Sequence, residues 1–278
     1  MRNENEMSFW DHLEEFRWTL IRIIAALMVL TVVWLIITPY IFDSIILAPR
    51  SSDFVTYRFF ENAGRYIPFL PDFSGEAFNV KMLNINMGTQ FMTYISSSFA
   101  FAVLFTIPYI LFELWRFIGP ALYEKEAKGM KKAFGFGGFM FLVGCLVGYF
   151  IVFPLIFRFL ITFELSENIE NQISLDSYMS NFYTLILIMG VAFELPLVFW
   201  LLSNLGLIHR SFFKKFRRHA VVGSLLAAAI ITPSGDPFSL FVVTIPLYML
   251  WEISAFLVKK DPVEEEDEAE DNLPAEAT

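Results

Sequence analysis

Glu194 lies near the middle of an apolar run, GVAFELPLVFW. An ionised carboxylate there costs about 2.5–3.5 kcal/mol on insertion scales, so such residues face a protein interior or a wet cavity and mark a pathway. Pro196, two residues on, leaves a nearby backbone carbonyl without its helical donor. The competing role for Glu194 is a protonated or hydrogen-bonded group that ties helices together. A second concentration of charge is SFWDHLEEFRWTL, residues 8–20, with three carboxylates, His12 and Arg17 directly ahead of the apolar run IIAALMVLTVVWLII. A third is FELWRFIGPALYEKEAKGMKK, residues 112–132, where Glu124 and Glu126 stand among lysines. Acids on an otherwise basic face become contacts for a basic ligand. Two neighbouring carboxylates suit an Arg-Arg motif, because arginine pairs bidentately with each. The plainer reading is a basic loop whose acids balance its lysines. Asp236, in TPSGDP, is placed equally well to form a turn or to act.

Other chemistries lack their residues. His12, His209 and His219 are scattered, so no metal site is expected. No Ser-His-Asp or Cys-His arrangement is suggested, which argues against an intramembrane enzyme. There is no P-loop, no Gly-rich dinucleotide fingerprint and no nucleic-acid module, so no cofactor is expected. Energy would have to come from a partner or from the membrane potential. The single cysteine, Cys145, excludes an intrachain disulfide.

The elements that position these groups are apolar helices. Of 278 residues, 56% are hydrophobic and 18% charged, which departs from soluble domains at about 45–50% and about 25%. A helix crosses the hydrocarbon core with about 20 apolar residues. Six candidates follow: Leu20–Ile37, ended by Thr38-Pro39; about Met87–Phe112; Ala133–Phe157; Phe182–Leu202; Ala220–Ile231; and Phe238–Val258. The last two are short, and TPSGDP turns the chain between them. The first run lacks a signal-peptide cleavage site and reads as a retained span. Gly144 and Gly148, in GCLVG, allow close helix contact, as packing within the chain more than as a dimer seam.

With the N-terminus inside, 15 of the 20 Lys and Arg fall on internal segments, which predicts both termini in the cytoplasm. The tail, 261–278, carries nine acids and no base, and reads as a solvated, disordered end. The expected division is an amphipathic N-terminal helix at 1–19, a membrane domain at 20–258 and an acidic tail at 259–278.

Several motifs then coincide in chain order. HLEEFR resembles the H-L-x-E-L-R signature of the TatC family, the multi-spanning subunit of the twin-arginine (Sec-independent) protein translocase. LWRFIGPALYEKE resembles that family's W-x-F-x-x-P-x-L-Y-x-x-E loop, VFPLIFRF the end of its third span, AFELP its F-E-x-P, and ITPSGDPFS its turn before the sixth span. The sequence departs from the pattern at Phe16, where Leu is usual, at Thr19, where a second Arg often stands, and at Leu240, where many members have Gln.

The resemblance implies an all-α integral membrane protein, six transmembrane helices in a concave, glove-like bundle of the bacterial cytoplasmic (inner) membrane. It implies a receptor for twin-arginine signal peptides that assembles with TatA- and TatB-type single-span subunits and self-associates in a larger complex. Folded cargo then crosses at the expense of the proton-motive force. Carried over by position, Glu15 and Glu126 match the carboxylates that contact the arginines. Leu13, Arg17 and Phe117 match the surrounding signal-binding surface. Glu194 matches the acid facing the concavity, Pro49 a proline of the first external loop, and Asp236 the acid of the last turn. The alternative class is an ion-coupled transporter of a small solute that uses Glu194, since an intramembrane acid on a broken span fits that chemistry too.

Overall fold

The computed structural model describes residues 9–64, 78, 80–119, 124–163, 165–166, 171–232 and 234–259. The chain divides into two compact units, Met1–Gly190 and Val191–Thr278. Among the described residues, five helical stretches are long and apolar enough to cross a membrane: His12–Arg50, Thr89–Ile118, Ala133–Thr162, Leu175–Asn204 and Pro237–Leu257.

In the first unit, α1 (Phe9–Ile41) lies antiparallel along α3 (Thr89–Ile118). The charged stretch 8–20 and the first apolar run are therefore one continuous helix from Phe9 onward. Trp34 stacks on Phe101 and Phe105 midway along the pair, and the Ser98 hydroxyl donates to Thr38 Oγ1 at 3.0 Å. The end at which α1 begins and α3 finishes is the near end; the opposite end is the far end.

At the far end α1 runs through Pro39 instead of stopping before it. Proline cannot donate to the carbonyl four residues back, here that of Leu35, and the Tyr94 hydroxyl donates to it instead. A wider π-type turn, Phe42–Ile46, and a 3-10 turn, Ala48–Arg50, then lead towards α2 (Val55–Gly64). A two-residue strand, β1 (Met82–Leu83), pairs in parallel with β2 (Ile173–Ser174).

The third stretch is α4 (Glu124–Val147), a π-type turn Gly148–Val152, and α5 (Phe153–Thr162). Pro154 frees the carbonyl of Phe150, and the Thr56 hydroxyl on α2 donates to it. Alongside runs α6 (Leu175–Ala192). A Cβ at Gly148 would stand 2.9 Å from Ile186 Cα, and one at Gly190 2.6 Å from Cys145 Sγ. The small residues of GCLVG thus serve packing inside the chain. Tyr149 donates to the carbonyl of Ile45 at 2.8 Å and Tyr178 to that of Ile46 at 2.6 Å. The Tyr57 hydroxyl sits 2.9 Å from the carbonyl oxygen of Pro49 and 3.2 Å from that of Pro154. Burial pushes the Tyr57 phenol well above its ordinary value, against the pull of the Arg158 guanidinium. Rings of Phe153, Phe157, Tyr178 and Phe182 meet largely edge to face around these bonds.

The second unit holds α7 (Leu195–Asn204), α8 (Arg210–Ile231) and α9 (Pro237–Leu257). Helix α9 packs against both α7 and α8. Arg217 meets Glu252 at 2.7 Å, and Tyr248 donates to the same carboxylate at 2.7 Å. Helix α8 has 22 residues, but its first half, RSFFKKFRRH, is basic, and its apolar part begins at Ala220 as the sequence predicts. Helix α9 has a full 21 residues, enough to span.

Candidate functional site

At the near end the helix pair brings three aromatic or imidazole rings together. His12 stacks on Phe117 with centroids 4.4 Å apart, and Phe16 packs on the same ring at 5.5 Å. Glu15 lies between those two positions of α1 and is half-buried. Its Oε2 is shielded from the surface and has no hydrogen-bond donor among the described residues. A carboxylate oxygen taken out of water with no donor is costly, so the site is suited to receive one. Leu13 and Phe16 are exposed apolar groups on this turn, and the Arg17 guanidinium lies 5.7 Å over the Trp18 ring. Glu126 belongs to the first turns of α4, the helix that follows α3 at this end. Its side chain lies outside the described residues.

One helical turn further along, Glu113 is 1% exposed. Arg22 Nε donates to its Oε2 at 2.7 Å, the Tyr109 hydroxyl to Oε1 at 3.0 Å, and Arg116 approaches Oε1 at 3.8 Å. Arg22 also places Nη2 on Thr19 Oγ1 at 2.9 Å. Sequence reasoning passed over this cluster. The signal was available, because Arg22 is the sole charge in Leu20–Ile37 and Glu113 the sole acid in Thr89–Ile118. Lone opposite charges on adjacent spans are expected to pair.

Glu194 sits at the break between α6 and α7, as the N-cap residue of α7. Helix α6 stops at Ala192, four residues before Pro196, where proline withdraws its donor. Both carboxyl oxygens of Glu194 are shielded from the surface. Asp236 caps α9: its Oδ1 accepts from the Ser239 amide at 2.8 Å and its Oδ2 from the Ser234 hydroxyl at 2.6 Å. Partial burial works to raise its pKa, but the hydrogen bonds from Ser234 and Ser239 prevail and hold it below its ordinary value. Gly235 supplies the left-handed turn beside it, with φ +59°. Pro49 is buried in the 3-10 turn of the far end. Glu15 thus lies on the turn of α1 whose His12 and Phe16 meet Phe117, Pro49 stands at the opposite end of the first unit, and Glu194 and Asp236 belong to the second unit.

A family model described as Sec-independent protein translocase protein (TatC) matches residues 11–246. The chain belongs to the TatC family. A TatC protein of Blattabacterium sp. subsp. Periplaneta americana is 37% identical over 92% of this chain and 97% of its own length. One from Campylobacter jejuni is 31% identical over 90% and 92%. A crystal structure of the twin arginine translocase receptor TatC, in the detergent DDM, superposes with a TM-score of 0.68 at 29% identity, covering 89% of this chain and 99% of that one. TatC membership and the five apolar helical stretches make this a multi-pass membrane protein and a component of a protein translocase. Between the two classes weighed from the sequence, it selects protein translocation over small-solute transport.

Proposed function

We propose that this chain is the core and receptor subunit of a twin-arginine translocase. It binds Arg-Arg signal peptides at the near end of α1, with Glu15 and Glu126 as the carboxylates that take the two guanidiniums. Phe117, with Leu13 and Arg17 around it, forms the surface on which the signal's flanking residues lie. The observation that carries this reading is the shielded Glu15 oxygen, which has no donor among the described residues and sits beside the rings of His12, Phe16 and Phe117. A guanidinium supplies charge-assisted hydrogen bonds to such an oxygen and a flat face for the rings.

In this reading both termini are cytoplasmic in a bacterial inner membrane, and the apolar half of α8 adds a sixth span. Of the expected division, 9–19 act as an interfacial segment and 20–258 as the membrane domain; residues 1–8 and 260–278 lie outside the described residues. TatA- and TatB-type single-span subunits and further copies of the chain complete the machine, which draws on the proton-motive force. Glu194, at its helix break, lets polar groups into the span. Asp236 and Pro49 hold the turns at the ends of their helices.

The test is photo-crosslinking of a twin-arginine signal peptide to membranes containing the protein. Wild type is labelled strongly, and Glu15→Ala with Glu126→Ala is not. Unchanged labelling of the variant, or equal labelling by a Lys-Lys peptide, overturns the reading. For Glu194, export assays of Glu194→Ala and Glu194→Gln are expected to show loss in both. Full export by both variants would leave it a packing role or none.

A further inference from the structure

The near end contains two carboxylates with opposite fates. Glu113 has a hydroxyl and two guanidiniums around it, whereas Glu15, on the facing helix, has an oxygen with no donor among the described residues. Arg22 and Glu15 are seven residues apart on α1, two turns along one face. Arg22 leans back towards the N-terminus, as helical side chains do. Its Nη2 reaches Thr19, which stands one turn from Glu15. Its Nε donates to Glu113 across the helix pair. Arg116, one residue from the Phe117 ring that flanks Glu15, is drawn to the same carboxylate.

We propose that Glu113 is a positioning residue for arginine recognition: it holds Arg22 and Arg116, and so keeps them off the Glu15 oxygen that has no donor among the described residues, leaving it for an incoming guanidinium. This rests on the receptor reading above. Without Glu113, the released cations compete with the signal's arginines for Glu15 and repel them. A buried ion pair is weak support for stability in itself. Its use here is to set which of two acids on one face stays open.

The test compares Glu113→Gln with the triple variant Arg22→Gln, Glu113→Gln, Arg116→Gln in the full chain in membranes. The half-saturating concentration of an Arg-Arg peptide in crosslinking is read for each. Glu113→Gln raises it roughly tenfold, the scale of one partly screened charge. The triple variant returns it to within about twofold of wild type, since the competing cations are gone along with their holder. A triple variant as weak as the single one, or a single variant that binds as wild type, overturns the proposal. The triple variant buries no unpaired charge, so it decides the matter even if Glu113→Gln alone does not accumulate.

Thermal unfolding supplies a readout that needs no peptide. Glu15→Gln is expected to lower the midpoint more in the Glu113→Gln background, where Glu15 has captured a cation, than in wild type. Equal shifts in both backgrounds overturn the proposal. If wild type takes no Arg-Arg peptide while this coupling is present, the receptor reading fails and the cation-holding role of Glu113 stands.

Discussion

The two ends of the α1–α3 pair solve the same problem with different chemistry. At the far end, prolines and widened turns leave the carbonyls of Leu35, Ile45, Ile46 and Phe150 without helical donors. Neutral hydroxyls of Tyr94, Tyr149, Tyr178 and Thr56 donate to them. At the near end the groups are charged, and one carboxylate oxygen is left with no donor among the described residues. Neutral bonds inside an apolar cluster are indifferent to salt and hold geometry. A shielded carboxylate oxygen with no donor among the described residues costs the fold stability and is open to a cation. On the proposed receptor reading, the difference separates the end that keeps the bundle together from the end that takes the signal.

The contrast can be broken by substitutions at either end. The largest effect on binding is expected from Glu15→Ala with Glu126→Ala: labelling by an Arg-Arg peptide falls at least about tenfold, as for loss of a charge-assisted pair. The thermal midpoint stays close to wild type. A fall in the midpoint comparable to that of far-end variants would erase the distinction. Next comes Tyr178→Phe, which strands the buried Ile46 carbonyl and is expected to cost about 1–3 kcal/mol in unfolding. The fraction that remains folded takes up peptide normally. Tyr149→Phe removes a more exposed bond and costs less, about 0.5–1.5 kcal/mol. The difference between these two tyrosines checks that burial sets the scale.

The smallest effect concerns Asp236, a carboxylate whose two oxygens both have local donors. Its folded pKa lies below its ordinary 3.8, so the folded state binds that proton less tightly than the unfolded one. Its stabilisation is present above that ordinary value and is lost as pH falls through the lower folded one. Thermal midpoints of wild type and Asp236→Asn are expected to differ at pH 7 and to converge under strong acid. If the gap is unchanged at low pH, the charge of the cap has no part in it.

Much of the architecture was legible because apolar run length is a strong signal. The broken fourth span followed from Pro196, and the close contact at Gly148 from its spacing. The path of α1 through Pro39 was not legible. Proline ends a helix when its lost bond goes unmet, and the Tyr94 hydroxyl that offsets that loss comes from a residue 59 positions away from Leu35. Glu113 was missed for a different reason. It stands just past the run read as ending near Phe112, so beside Glu124 and Glu126 it looked like one more acid of the loop, although it and Arg22 are lone opposite charges on adjacent spans. Glu15 was singled out because its motif and its place before an apolar run pointed the same way.

The Tyr178 bond to the Ile46 carbonyl joins residues 132 apart in the chain. During synthesis the first helix and its terminal turn are complete long before residue 178 exists. The carbonyls of Ile45 and Ile46 therefore wait, without the partners they finally keep, until the third and fourth helices arrive. A chain cut short before residue 178 would leave the Ile46 carbonyl, at the end of the first helix, without the phenol that donates to it.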